Sequence, residues 1–509
     1  MQTPFPSTLA ALGLSAVLAG CAVAPAYVRP ASPVPASATG YTAGAAPATT
    51  ASAAVPLGQA QQLVEGPVPA QWWRAFRSPA LDALVDEALR ASPTLAAAEA
   101  VLSQARELYA AQAGTTQRPQ VDLALGAQRQ QISPSAQGLP GDTREFGLYN
   151  ASVGVRYRFD FGGGIDSSLR ALAARADLRG HELAGARHTL VANLATVAIT
   201  RARLAAQLDA QTAILQTQQE QLRLAQVRTR LGQAGPEEVH ALTAQAELTR
   251  AGLPLLHKQL QQAEHLLAVL AGRPPGQGVP PFTLADFSLP ERLPVAVPSE
   301  WVRQRPDIQA AEAGLRAAHA ELGAAMARQY PQLTLSANLG SQALTPAALF
   351  GGQAGVWSLL GQLTQPLFNA GLPAEKRAAQ AALEAAAAGY QRVVLEALRN
   401  VADSLRAVEH DAQALAALAL SVQASERQQQ VVQRQYRAGI ASHLQVVVAE
   451  QQLLQARTGL IAAQAQRLAD SVALSAAMAG EPASPPAPAA QAAPSAPSAL
   501  AAAPISQQE

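Results

Sequence analysis

The three glycines of Phe161-Gly162-Gly163-Gly164-Ile165-Asp166 could cradle a phosphate on their backbone N–H groups. The run lacks the GK[ST] ending of a phosphate loop and the spacing of a dinucleotide fold, so that chemistry is set aside. The 8 histidines include no i, i+4 pair flanking a glutamate, as metal-assisted hydrolysis would need. His257 and His265 are expected on helix surfaces, and the scattered Asp and Glu residues read as solvated helix faces. No nucleophile elbow is present. With one cysteine, the chain can form neither an intrachain disulfide nor a multi-thiolate site. The sequence therefore predicts no enzyme, no cofactor and no metal.

That one thiol is informative. Leu18-Ala19-Gly20-Cys21 follows the short apolar run Leu9 to Ala19, and it resembles a bacterial lipobox. The resemblance implies that residues 1–20 are a signal peptide and that Cys21 takes a diacylglycerol and becomes the first residue after cleavage. No Lys or Arg precedes Cys21, whereas a secretory n-region is normally positive. Ala22, in place of Asp, follows the cysteine, which among lipoproteins favours passage to the outer membrane. The plainer alternative is an ordinary signal peptide that happens to contain a cysteine.

Around this motif the composition is unusual. Alanine dominates the 509 residues, aromatics are only 4% and charged residues 14%. Beyond the N-terminus nothing offers ~18 uninterrupted apolar residues, so no transmembrane helix is expected. A net charge of +1, without a basic cluster interleaved with aromatics, gives no case for nucleic acid. Residues 21–70 and 481–509 are rich in Ala, Pro and Ser: the first reads as an extended tether, the second as a disordered tail.

Between them lies a duplication, with repeats expected at 71–272 and 300–480 and a Pro-rich linker at 273–299. Pro93 matches Pro306 and Glu99 matches Glu312; further on, Phe161 pairs with Phe368, Gly232 with Gly439 and Arg250 with Arg457 at one offset. A period this long is a duplicated domain, not a solenoid.

Each repeat reads helix, strand, loop, strand, long helix, turn, helix. The first helix runs from Ala80 to about Gln117; strands are expected at 121–128 and 150–160, and again at 332–340 and 356–365. Val153, Val155, Tyr157 and Phe159 point one way and Ser152, Arg156 and Arg158 the other. The long helices are placed at 166–231 and 373–438, each on the order of 100 Å at 1.5 Å per residue. Val394, Val401, Val408, Leu415 and Val422 make a heptad seam in the second. Leu194, Leu208, Leu215 and Leu222 keep that spacing in the first, interrupted by Arg201. Return helices follow at 236–271 and 442–479, with Pro254 expected to bend the first.

Four two-faced strands cannot close a barrel, and lipid does not tolerate open sheet edges. If the apolar faces meet a membrane, several chains must share one barrel. Two would give eight strands and a filled interior; three would give twelve and a water-filled bore. Gly162, Gly163 and Gly164, with Gly371 in the second repeat, are the expected strand-to-helix junctions.

The repeated RPDIQAAEAGLRAAHAELGAAMARQYPQLTLSANLG, the WWRAFRSPALDALVDEAL stretch at Trp72, PLFNAG at Pro366 and YRAGIASHLQVV at Tyr436 resemble the outer-membrane factor family, the TolC-like channels. The lipobox points to their lipoprotein branch, which serves efflux pumps. The resemblance implies an α plus transmembrane-β fold: a homotrimer with a 12-stranded barrel, four strands per chain, continued by a long periplasmic helical barrel. It also implies a periplasmic membrane-fusion adaptor, an inner-membrane efflux pump and outer-membrane lipid as partners. The periplasmic tips would comprise Arg230, Gly232, Gly235, Glu237 and Glu238, then Tyr436, Arg437, Gly439 and Gln445. TolC-like tips often carry an arginine after the glycine and acids on the next turn. Here Ala441 replaces the arginine, and Gln445 and Val448 occupy acidic places, so closure is expected to rest more on packing than on charge. Two other readings stand beside the efflux duct: the exit duct of a type I protein secretion system, and a structural coiled-coil lipoprotein.

Overall fold

The computed structural model describes residues 26–29, 40–42, 44, 47–134, 138, 140–296, 298–301 and 304–480. Cys21, the expected signal peptide and the tail 481–509 lie outside the described residues.

The first repeat contains α1 (Pro79–Ala91), α2 (Pro93–Thr116), β2 (Gln120–Ile132), β3 (Arg144–Phe159), α3 (Gly164–Arg230) and α4 (Pro236–Leu270). The second contains α5 (Pro306–Ala327), β5 (Gln332–Ala343), β6 (Gly355–Thr364), α6 (Gly371–Arg437) and α7 (His443–Met478). The helix expected to run unbroken from Ala80 is instead two helices. Ser92, with ψ of 120°, is extended because Pro93 excludes the α conformation from the residue before it. The helix α4 continues through Pro254.

The two long helices are 67 residues each, and one shift of numbering superimposes their bounds. Their heptad seams are buried at Val394, Val401, Val408 and Leu415, and at Leu194 and Leu215. Arg201, which breaks the first seam, is held at 2.8 Å by Glu264 of the return helix and by the Phe282 carbonyl, also at 2.8 Å. The helix α5 packs against both α3 and α6, and α7 packs against both as well. One core gathers Trp72, Trp73, Phe76, Leu81, Leu194 and Leu267; a second gathers Leu293, Trp301, Ile308, Tyr390 and Val394. The two tryptophans at 72 and 73 meet edge to face inside the first core.

The segment expected to be tether is folded in part. Strand β1 (Gln62–Glu65) pairs in parallel with β4 (Arg292–Val295) in the linker. Residues 47–61 lie as a strap across α7. Loss of the expected extended chain here follows from the hydrogen bonds described below, which a Pro- and Ala-rich composition does not reveal.

Candidate functional site

The four long strands form one antiparallel sheet in the order β2-β3-β5-β6. Directly opposed residues of an antiparallel pair share a face. The register aligns Leu123, Val153, Leu339 and Trp357 in one row and Val121, Val155, Ala337 and Leu359 in the next. Between these rows, on the other face, run Asp122, Gly154, Asn338 and Ser358, then Gln120, Arg156, Ser336 and Leu360. The apolar face is bare: Leu123, Leu339, Trp357 and Leu359 are all well exposed. Strands β2 and β6 each leave one edge unpaired within the chain. A large exposed apolar sheet face backed by a polar one has the form that a wall between lipid and water requires.

At the junction only some of the expected glycines are required. Gly163 caps α3 with φ of 69°, a left-handed conformation that other residues adopt at a cost. A Cβ on Gly164 would stand 2.9 Å from that of Ala327. Gly371 has no positive φ; its N–H is capped by Asn369 Oδ1 at 2.9 Å, and a Cβ there would stand 3.1 Å from that same oxygen, a side-chain atom. Gly162 meets its neighbours at ordinary distances.

The tips are the two helix hairpins. Gly232 and Gly439 take φ of 71° and 72°, ending α3 and α6 in the left-handed position, and the N–H groups of Gln233 and Ile440 close back onto Arg228 and Gln435 carbonyls. Gly235 caps α4, and Gln445 caps α7 by accepting from the Ser442 N–H at 2.8 Å. The side chains then meet unevenly. Tyr436 donates its hydroxyl to Glu238 and accepts from Arg228, whose guanidinium lies 5.6 Å from the Tyr436 ring and 3.4 Å from the Glu238 carboxylate. Burial, with Glu238 alongside, raises the Tyr436 phenol above its ordinary range. Arg230, Glu237 and Arg437 are exposed. The tip therefore does carry a charged contact, but its arginine precedes the turn at 228, one helical position set that the glycine-centred motif does not include. Nearby Glu450 is buried, receives a hydrogen bond from Gln221 and is pushed up by desolvation.

Higher on α7 sits a second polar cluster that sequence reasoning missed. Arg467, 2% exposed, donates to the Leu57 and Gln59 carbonyls at 3.2 and 3.0 Å, and to Thr50 Oγ1 and Gln61 Oε1 at 3.2 and 3.0 Å. One turn on, burial pushes the Asp470 carboxyl up to about 7 from 3.8, and Asp411 of α6 adds to the rise. The folded chain thus holds this proton more tightly than the unfolded chain does. Its stabilising contribution is full below about 3.8 and is lost as pH rises through about 7. Thermal melting should fall between pH 5 and pH 8, and Asp470→Asn should flatten that decline; an unchanged slope in the variant would assign the pH dependence elsewhere.

Among the described residues no group of three His, Cys, Asp or Glu could hold a metal ion, and no helix is long and apolar enough to cross a membrane. The sheet can be the membrane element. A two-faced β-wall, two helices of 67 residues leaving it and charged hairpin tips define a subunit of an outer-membrane duct.

Comparison with known proteins assigns the family. The model of the outer membrane efflux protein family matches residues 84–273 and 297–480, and the chain belongs to that family. It is 33% identical over 422 residues to the pyoverdine export outer membrane protein OpmQ of Pseudomonas putida, covering 81% of this chain and 88% of the relative. It is 29% identical over 473 residues to the toluene efflux pump outer membrane protein TtgC of Pseudomonas putida, covering 91% and 93%. Among solved structures it matches the outer-membrane channel OprN with a TM-score of 0.80 at 25% identity, over 90% of this chain and 99% of that one. The chain is an outer-membrane efflux channel protein with the fold of that channel.

Proposed function

We propose that three copies of the chain close a twelve-stranded barrel and act as the passive exit duct of a tripartite efflux machine. A periplasmic adaptor meets the hairpin tips, and an inner-membrane pump supplies the energy. The observation that carries the reading is the bare apolar face between two unpaired sheet edges, since closure alone satisfies both in lipid. Three copies of four strands leave a bore, whereas two would leave a filled interior. The relatives' names range from pyoverdine export to toluene efflux, which fits small molecules as cargo and ties the choice of compound to the pump.

Cys21 is the lipidated residue in this reading. The strap on α7 lies level with Asp411, about 60 Å along α6 from its start at Gly371. Tyr27 meets the His319 ring and Arg29 pairs with Glu312 on α5, the helix that leads up to β5, so the six residues from Tyr27 back to Cys21 reach about 20 Å further toward the membrane. Cys21→Ser should block acylation, read as loss of the lipid mass on the mature chain.

Heat-modifiable trimers on a gel and single-channel currents in a planar bilayer test the duct. Protein that stays monomeric in mild detergent and passes no ions would overturn it. The tip contact is the proposed closure. Tyr436→Phe removes both hydroxyl hydrogen bonds and should raise the channel's open probability about tenfold, the effect of losing ~1.5 kcal/mol. Arg230→Ala should leave it unchanged; equal effects of the two would separate closure from this contact.

A further inference from the structure

The polar face of the sheet is not electrically neutral. Arg144, Arg156 and Arg158 of β3 stand on it against one acid, Asp122 of β2. Other positions on that face include Ser152, Ser336, Asn338, Ser358 and Gln362, none of them charged. On the apolar face the two charges, Arg129 and Glu145, cancel in an ion pair of 2.9 Å near the hairpin loop. Arg156 and Arg158 are exposed, and among the described residues neither is in an ion pair. They are two residues apart on one strand, so their guanidinium groups leave the same face about 7 Å apart along it. Both lie at the end of β3 that leads into the junction with α3.

We propose that Arg156 and Arg158 form an anion-attracting collar inside the bore, where the β-wall passes into the helices, and that the duct favours anionic solutes. The inference rests on the closed-barrel reading above. In such a barrel three copies place six unpaired cations around one ring. A water-filled bore with low-dielectric walls focuses the field of such a ring and raises the local concentration of counter-ions. Asp122, diagonal to Arg156, and exposed Asp160, two residues past Arg158, offset part of this charge, and exposed Arg118, just ahead of β2 at the same end of the sheet, keeps the balance positive.

The test is the reversal potential of the full-length channel in a planar bilayer under a potassium chloride gradient. Wild type should pass chloride in preference to potassium. Arg156→Gln with Arg158→Gln should lower the chloride-over-potassium permeability ratio several-fold, Arg156→Lys with Arg158→Lys should keep it, and Asp122→Asn should raise it. A wild-type channel selective for potassium, or a ratio unmoved by the glutamine pair, would overturn the collar while leaving the duct intact. Protein that passes no current either as wild type or with the tip contact removed by Tyr436→Phe would overturn the barrel itself, and the collar with it.

Discussion

Leu359→Arg should destabilise the membrane-inserted protein by about 2–4 kcal/mol, while Ser358→Arg, one residue away, should cost well under 1 kcal/mol. Leu359 lies mid-strand in β6, in the row with Val121, Val155 and Ala337, and its side chain is exposed. If that face meets lipid, a guanidinium there must be carried into hydrocarbon, with the penalty greatest near the bilayer midplane. Ser358 shares a row with Asp122, Gly154 and Asn338 on the opposite face. An arginine there joins Arg156 and Arg158 in water and costs only like-charge repulsion, screened by salt. Urea titration of folding into lipid vesicles, at two ionic strengths, separates the two terms. The Leu359 penalty should be insensitive to salt and the small Ser358 effect should shrink with it. Equal penalties at the two positions would mean that the sheet does not divide lipid from water, and the duct would have to be abandoned.

What the sequence displayed, and what it hid, follows from the range of the interactions. The alternation Val153, Val155, Tyr157, Phe159 is a local pattern, and the register then continued it across three neighbouring strands. The same pattern concealed the length of β3, which starts at Arg144 and not at about 150. Over Arg144 to Tyr149 the alternation fails: Phe146 and Leu148 fall on the polar face and Glu145 on the apolar one. That stretch is paired by backbone hydrogen bonds beyond the reach of the two-faced rule. The long helices were legible because a heptad seam repeats within one element. The tip was half legible. Glycines with positive φ announce themselves by type, whereas the contact of Arg228 with Tyr436 joins residues from different repeats. Arg228 could have been singled out by one signal: it stands on the last turn of α3, facing the first turn of α4 that carries Glu238.

The strap was invisible for the same reason, and it carries the second large expectation. Arg467→Met should lower stability by about 3 kcal/mol and open residues 47–61 to proteolysis. Nothing around Arg467 in an alanine-rich helix distinguishes it from a surface arginine. Its partners, Thr50, Leu57, Gln59 and Gln61, belong to the other end of the chain. The guanidinium fork satisfies all four oxygens at once, and Gln61 also reaches the Pro290 carbonyl and Ser471, both at 2.9 Å. One cation thus ties the strap, the linker and α7 together. Methionine keeps much of the volume but donates nothing, leaving buried oxygens without a partner, and each such loss costs about 1–3 kcal/mol. Their sum is less than additive, because the freed strap can move into water. Lysine should recover only part of the loss, since a point charge cannot bridge oxygens set to a planar fork. Thermal melting in detergent gives the magnitude, and limited proteolysis with mass analysis gives the place. A variant with unchanged melting whose first cuts fall outside 47–61 would show that the strap is held without Arg467, by β1 pairing with β4 and by the bonds of Gln61 and Gln464. If melting falls but the cuts appear in the hairpin tips, Arg467 acts through α7 packing. Only a joint loss, with cuts in the strap, makes this buried cation the fastening between the N-terminal segment and the helical body.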